Sequence, residues 1–200
     1  MARDPIKPWT VEAQKYLYRD KWLRHRVDRC RTDRDILIES YHVMEAPDWV
    51  NVVAITDDLQ ILLVDEYRHG AGAVVRGLPS GTVETDDQDP RAAMQRELLE
   101  ETGYGAAQIW PIVDGYSNSG RFNNRIWAFL AVGCRPVGKP VFDPGENISV
   151  IPVDLASCLQ KLHFGSLQMQ VAHLLSLFAA EAFIRQKPYA ELTAIRAALV

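Results

Sequence analysis

The chain has 200 residues and a net charge of −4, enough length for one good core and no excess of the positive charge that nucleic-acid phosphates require. Apolar residues make up 48% and charged residues 24% of the chain, as in ordinary globular proteins. No apolar stretch is long enough to cross a bilayer, and MARDPIKPWT lacks the apolar core of a signal peptide. We therefore expect a cytoplasmic protein with no nucleic-acid partner and no membrane partner.

The cysteines give no sign of a metal centre or a disulfide framework. Cys30, Cys134 and Cys158 lie far apart and are odd in number. No Cys-x-x-Cys or Cys/His spacing typical of zinc is present. We expect three reduced thiols.

The first third of the chain predicts strands. Residues 22–31 and 36–44 alternate between apolar and polar side chains around the turn-like stretch TDRD. Residues 50–56 and 61–67 are apolar runs on either side of DDLQ, which is typical of a hairpin turn. Glycines then punctuate a loop-rich region that ends in LPSG. The charged first pair of strands cannot bury a core by itself.

The remainder predicts a helix between groups of strands. Asp89 can cap this helix, Pro90 suits its first position, and Gly103 ends it. The later elements are strands at 125–133 and 148–153 and helices at 154–162 and 166–186. This order predicts an α+β fold, a mixed sheet between helices. We expect residues 1–48 to form an N-terminal antiparallel β arm and residues 49–200 to form the main domain.

The predicted helix crowds three carboxylates onto one face. Glu97 stands three and four residues before Glu100 and Glu101, so the three side chains are neighbours that repel one another. One interpretation is a solvated acidic face, partly compensated by Arg96. The other is a site for a hard divalent cation such as Mg²⁺, which prefers oxygen ligands. A backbone carbonyl in the Pro79–Gly81 loop and a carboxylate of the later stretch DPGENISV are within the predicted reach of the same ion.

The stretch GTVETDDQDPRAAMQRELLEETGY, Gly81 to Tyr104, resembles the Nudix box. The second half of that motif is matched by Arg96, Glu97, Leu98, Glu100, Glu101 and Gly103. The first half contains one inserted residue. The glutamate of the family pattern therefore falls on Asp87 when counted from Gly81, and on Gln88 when counted from Arg96.

The resemblance extends over roughly residues 20 to 180. VDEYRHGAG and LPSGTVE are similar to the branch of the family that hydrolyses ADP-ribose and other nucleoside diphosphate sugars, although Gly77 stands where that branch often has an acidic residue. The resemblance implies a Nudix-type α/β/α sandwich. It also implies metal-dependent hydrolysis of a diphosphate bond, ADP-ribose being the expected substrate, to a nucleoside monophosphate and a sugar phosphate. A homodimer formed through the N-terminal arm is implied as well.

The same resemblance implies roles for individual residues. Mg²⁺, or alternatively Mn²⁺, would be held by the Ser80 carbonyl, Glu97, Glu100 and Glu101. Arg96 would orient a box glutamate. Glu146 would be the general base that takes a proton from water, with Glu100 as the alternative. The substrate would be bound by Arg68 and Arg121.

Two other functions stay open at this point. The first is a house-cleaning hydrolase of nucleoside triphosphates or dinucleotides. The second is a non-catalytic module that senses nucleotide sugars, an alternative motivated by the altered first half of the box. The survival of Arg96 and all three box glutamates favours an enzyme.

Overall fold

A three-stranded antiparallel sheet comes first along the chain. Its strands are β1 (Thr10–Arg19), β2 (Arg24–Arg31) and β3 (Leu37–Glu45), with β2 in the centre. The structure, a computed structural model, describes residues 5–199. These residues divide into two units. The first contains this sheet, as far as Pro47, together with Tyr116–Arg125. The predicted N-terminal antiparallel arm is confirmed, and β1 is an additional strand that the sequence did not predict.

The first unit includes a segment from much later in the chain. The Tyr41 hydroxyl donates to the Gly120 carbonyl at 2.9 Å, and the Met44 amide donates to the Arg121 carbonyl at 2.7 Å. The Asn124 amide donates to the Pro47 carbonyl at 3.0 Å. Tyr116–Arg125 therefore packs with the first unit, although the division predicted at residue 48 placed this segment in the main domain.

The second unit is built on an eight-stranded mixed sheet. Five of its strands run in the order β11–β5–β4–β10–β8, while β6 pairs with β5, β7 with β4 and β9 with β10. Strand β4 is parallel to β10 and antiparallel to β5 and β7. The strands are β4 (Trp49–Thr56), β5 (Gln60–Arg68), β6 (Ala73–Gly77), β7 (Ser80–Thr82), β8 (Tyr104–Gly105), β9 (Gln108–Tyr116), β10 (Arg125–Pro136) and β11 (Ile148–Asp154).

Helices cover both faces of this sheet. They are α1 (Pro90–Thr102), α2 (Leu155–His163), α3 (Val171–Gln186) and α4 (Thr193–Ala197), with a 3₁₀ turn at Ala190–Leu192. Alternate residues of β4 point to opposite sides, so that Val52 packs with Met94 of α1 and Val53 packs in a second cluster with Leu177 of α3. The expected α+β sandwich is confirmed. None of the helices in the described part of the chain is long and apolar enough to cross a membrane.

Helix α1 begins and ends where the sequence predicts. The Asp89 carboxylate accepts from the Ala92 amide at 2.8 Å, and Pro90 occupies the first turn. Gly103 takes a left-handed φ of 74° and its amide bonds to the Leu99 carbonyl, the usual glycine ending. These two ends fix which residues α1 turns toward the sheet, and Glu97 and Glu101 are among its buried residues.

The predicted helix at 166–186 starts later than expected, at Val171. Leu167 and Met169 both pack against the core. Their spacing of two suits an extended chain rather than a helix, which explains why the segment before Val171 is not helical.

Candidate active site

Two buried glutamates of α1 lie against the Leu78–Gly81 turn, which comprises the link from β6 and the first two residues of β7. The Ser80 amide donates to Glu101 Oε2 at 2.9 Å. A Cβ built on Gly81 would lie 2.0 Å from Glu97 Oε1, well inside any tolerable contact. A side chain at position 81 would therefore displace the Glu97 carboxylate from this position. The first and second halves of the motif therefore meet in space at this turn.

Arg96 connects helix α1 to the loop that precedes it, which we call the box loop. Its guanidinium donates to both carboxylate oxygens of Asp87, at 3.2 Å and 2.9 Å, and to the Thr82 carbonyl at 3.0 Å. It also donates to Glu97 at 2.9 Å and to Glu100 at 3.0 Å. The N–H donors of the planar Arg96 guanidinium are engaged by these acceptors. Of the two positions that sequence counting left open, Asp87 is the one whose carboxylate meets Arg96.

Burial makes both glutamates hard to ionise. Glu101 is 2% exposed, and burial, opposed by the Ser80 amide, raises its pKa to about 9. Glu97 is 9% exposed, and burial raises its pKa to about 7 although Arg96 pulls it down. The negative charges of neighbouring glutamates add to both effects. Burial outweighs the positive charges of Arg96, near Glu97, and of Arg68, near Glu101.

A hard divalent cation fits this donor set. Carboxylate and carbonyl oxygens are the ligands that Mg²⁺ prefers, and such an ion would favour the ionised carboxylates. In residues 5–199, however, no three carboxylate, histidine or cysteine side chains are grouped so that they could hold an ion as they stand. Glu100 is turned to Arg96, as is Glu97. Of the predicted ligands, the structure brings Ser80, Glu97 and Glu101 together, while Glu100 accepts from Arg96.

Glu146 and Arg68 lie at the edge of this carboxylate group. The charge of Glu146 contributes to the raised pKa of Glu97 and of Glu66. The Glu146 carboxylate accepts from the Asp143 amide at 3.0 Å on the exposed loop before β11. Arg68, at the end of β5, pairs with Glu66 at 2.8 Å. Both residues therefore belong to the electrostatic surroundings of the buried glutamates.

Glu66 is a further residue of these surroundings that was not predicted from the sequence. Burial raises its pKa, against the pull of Arg68, and its charge in turn contributes to the raised pKa of Glu101. A usable signal was present, because Glu66 stands two residues before Arg68 on a predicted strand and therefore shares its face. Arg121 belongs to the other unit, and its binding role stays a prediction.

The family of the chain follows from comparison with known proteins. A model of the NUDIX domain matches residues 47–169, more than half of the chain. The chain belongs to the Nudix family, as the box indicated.

Several relatives are similar over part of their length. The ADP-ribose pyrophosphatase of Mycobacterium tuberculosis is 33% identical over 103 residues, which are 52% of this chain and 50% of that protein. The ADP-ribose pyrophosphatase of Bacillus subtilis and the methanol dehydrogenase activator of Bacillus methanolicus are each 29% identical over 119 residues, 59% of this chain and 64% of theirs. The chain thus spans between half and two thirds of the length of these relatives.

One solved structure confirms the fold over most of the chain. The crystal structure of an ADP compounds hydrolase superposes with a TM-score of 0.79 at 19% identity, covering 92% of this chain and 97% of that one. At that identity the likeness concerns the fold alone.

The pKa of Glu101 predicts how the metal-free protein responds to pH. Between about pH 4.5 and 9 the folded state keeps a proton on Glu101 that the unfolded state releases, so stability falls as the pH rises. Glu101→Gln removes this loss. In the presence of a chelator we expect the variant to gain at least about 2 °C in Tm over the wild type at pH 9 and much less at pH 5. Thermal unfolding across this range measures it.

Glu84→Gln is the matched control for that measurement, since Glu84 is an exposed carboxylate of the same motif. It should follow the wild type at every pH. A Tm difference for Glu101→Gln that does not change with pH would contradict the assigned protonation of Glu101.

The contacts of Arg96 predict that Asp87, rather than Gln88, contributes to the stability of the fold. Asp87→Asn removes the charge from the paired carboxylate and should lower the free energy of unfolding by about 1 kcal/mol. Gln88→Glu, on an exposed side chain, should change it by less than about 0.5 kcal/mol. Urea unfolding of the two variants measures both. A larger effect at position 88 than at position 87 would show that the pairing with Arg96 is wrong.

Proposed function

We propose that this protein hydrolyses the diphosphate bond of a nucleoside diphosphate sugar, ADP-ribose by preference, with Mg²⁺ or alternatively Mn²⁺. The products are a nucleoside monophosphate and a sugar phosphate. The observation that carries the proposal is the pair of buried glutamates, Glu97 and Glu101, held against the Ser80–Gly81 turn in a Nudix domain. The two ADP-ribose pyrophosphatases among the relatives support this substrate class.

The cation would be held by the Ser80 carbonyl, Glu97 and Glu101, joined by Glu100. A bound divalent ion would neutralise the negative charge of the phosphates. Arg96 keeps the carboxylates in place, because Asp87 and the Thr82 carbonyl fix its guanidinium from the other side.

Arg68 is the residue proposed to bind a substrate phosphate. Its side chain is 37% exposed, and its pairing with Glu66 leaves other donors of the guanidinium for a ligand. Glu66 restricts where that guanidinium points, so the pair acts as an oriented anion contact. Arg121, an exposed residue, is proposed as a further substrate contact.

Glu146 is the proposed general base. It lies on an exposed loop, and its negative charge contributes to the raised pKa of Glu97. We therefore place it near the position from which water would attack. Glu100, the alternative base, is paired with Arg96 at 3.0 Å, so its carboxylate is already engaged.

Replacement of Glu146 tests its role as the base. Glu146→Gln should lower kcat by about 10²-fold or more, the range expected for losing general base catalysis. KM should change little, because the lost interaction belongs to the transition state. Steady-state kinetics at saturating Mg²⁺ measures both constants.

Asp143→Asn, on the same loop, is the control and should keep most of the activity. An unchanged kcat with a raised KM in Glu146→Gln would make Glu146 a binding residue and give the proton-accepting role to Glu100.

A substrate panel tests the function itself. The protein is incubated with Mg²⁺ and ADP-ribose, ADP-glucose, GDP-mannose, NADH, a dinucleoside polyphosphate and nucleoside triphosphates, and the products are identified. We expect the highest kcat/KM with ADP-ribose and release of AMP and ribose phosphate. Preferred cleavage of triphosphates or dinucleotides would replace the proposal with the house-cleaning function. Binding of ADP-ribose without turnover would replace it with the sensing module.

The assembly and the compartment are also part of the proposal. Every residue of β1 is exposed, including Val11 and Leu17, and this edge strand would gain from a partner. We propose a homodimer that covers it, which light scattering of the purified protein tests directly.

Cys30, Cys134 and Cys158 are unpaired and buried, which favours the reducing cytoplasm. Recovery of the tagged protein in a membrane or extracellular fraction of its own cells would contradict that compartment.

A further inference from the structure

A histidine of α3 packs against the same turn from the side opposite α1. His173 is 1% exposed, and its Nδ1 accepts from the Leu78 amide at 3.2 Å. A Cβ on Gly77 would lie 2.7 Å from this nitrogen, so the ring is pressed onto the backbone of the turn. The ring also stacks on Trp49 of β4, with 5.1 Å between centroids and 15° between planes.

These contacts determine the state of the imidazole. Burial lowers the pKa of His173 to about 4, so the ring is neutral at physiological pH. Because Nδ1 accepts a hydrogen bond, the single ring proton lies on Nε2. His173 therefore holds the Leu78 amide with one nitrogen and carries a buried N–H donor on the other.

That donor belongs to a group of buried polar atoms that have no protein partner. In the described part of the chain these atoms are His173 Nε2, Ser80 Oγ and both side-chain amide atoms of Asn51. Buried groups of this kind are normally bonded, often to an internal water.

The three residues lie on the same side of the sheet. Asn51 of β4 faces Ser80 of β7 as its cross-strand partner, so their side chains are neighbours on one face. Trp49, which stacks on His173, stands two residues before Asn51 and points to that face. All three side chains are neutral groups, which suits a water molecule better than an ion.

We propose that His173 is a positioning residue for the Leu78–Gly81 turn, through Nδ1 to the Leu78 amide and through a buried water that Nε2 shares with Asn51 and Ser80. The turn is then held between two helices. Glu101 of α1 fixes the Ser80 amide from one side, and His173 of α3 fixes Leu78 and the Ser80 side chain from the other. The consequence for metal binding rests on the proposed function, while the two contacts themselves do not.

Two amide substitutions separate the two contacts. His173→Asn places an acceptor where Nδ1 was and removes the second nitrogen, whereas His173→Gln places a donor near the position of Nε2 and removes the first. In the metal-free protein we expect hydrogen exchange at the Leu78 amide to rise by about tenfold or more in His173→Gln and to stay near the wild-type rate in His173→Asn. Equal exchange at Leu78 in all three proteins would overturn the contact through Nδ1.

Ser176→Ala is the matched control from the same helix. Ser176 is equally buried, and its hydroxyl bonds to the Ala172 carbonyl of α3. This variant should leave exchange at Leu78 at the wild-type rate. An effect as large as that of His173→Gln would assign the change to general loosening of α3 and overturn the positioning role.

A high-resolution crystal structure of the metal-free protein tests the second contact. We expect a water within hydrogen-bonding distance of His173 Nε2 and of Asn51 or Ser80 Oγ, and its loss in His173→Asn. Direct bonds among these three side chains, with no water between them, would overturn the shared water.

A measurement of the affinity for Mn²⁺ alone tests whether the Leu78–Gly81 turn affects the proposed metal site. Titration followed by electron paramagnetic resonance should give a Kd raised at least about threefold in His173→Gln and unchanged in Ser176→Ala. An unchanged Kd in a variant whose Leu78 amide exchanges rapidly would overturn the effect on the site. Absence of Mn²⁺ binding in the wild type would instead contradict the proposed function and leave the exchange result standing.

Discussion

Burial of two carboxylates against a tight backbone turn is the constraint on which the rest of the structure depends. Taking Glu97 and Glu101 out of water makes their ionised forms costly, as their raised pKa values record. The turn accommodates the two carboxylates. The Ser80 amide donates to Glu101, and Gly81 has no side chain that would displace Glu97. The conformation of the turn and the position of α1 therefore depend on each other.

The fold supplies the supports that this arrangement needs. Helix α1 is capped at both ends, which sets the face it turns toward the sheet. Strand β7 is held beside β4 through three residues, with Ser80 opposite Asn51. Arg96 joins the helix to the box loop through Asp87, and His173 meets the turn from α3. These supports fix the two buried carboxylates relative to the backbone of Ser80 and Gly81.

Much of this could be predicted from the sequence, for a physical reason that differs from residue to residue. The box fixes the spacing of Glu97 and Glu101 on one helix, and helical geometry then places them on one face. The inserted residue leaves the partner of Arg96 open between Asp87 and Gln88, and only the packed loop decides it. His173 lies far from the box in sequence, and no local pattern links it to the box. Glu66 could be found only through Arg68, with which it shares a strand face. Tyr116–Arg125 joins the first unit through backbone hydrogen bonds, which side-chain patterns do not reveal.

We expect Glu101 to stay protonated at pH 7.5, and Glu97 to stay partly protonated, until the proposed divalent cation binds. Proton release on Mg²⁺ binding tests it most directly, measured with a pH indicator in weakly buffered solution at pH 7.5. Since Glu101 has a pKa of about 9 and Glu97 of about 7, we expect between one and two protons per bound ion. Mg²⁺ binding with no proton release would contradict the claim, since the ligands would then already be ionised or lie elsewhere.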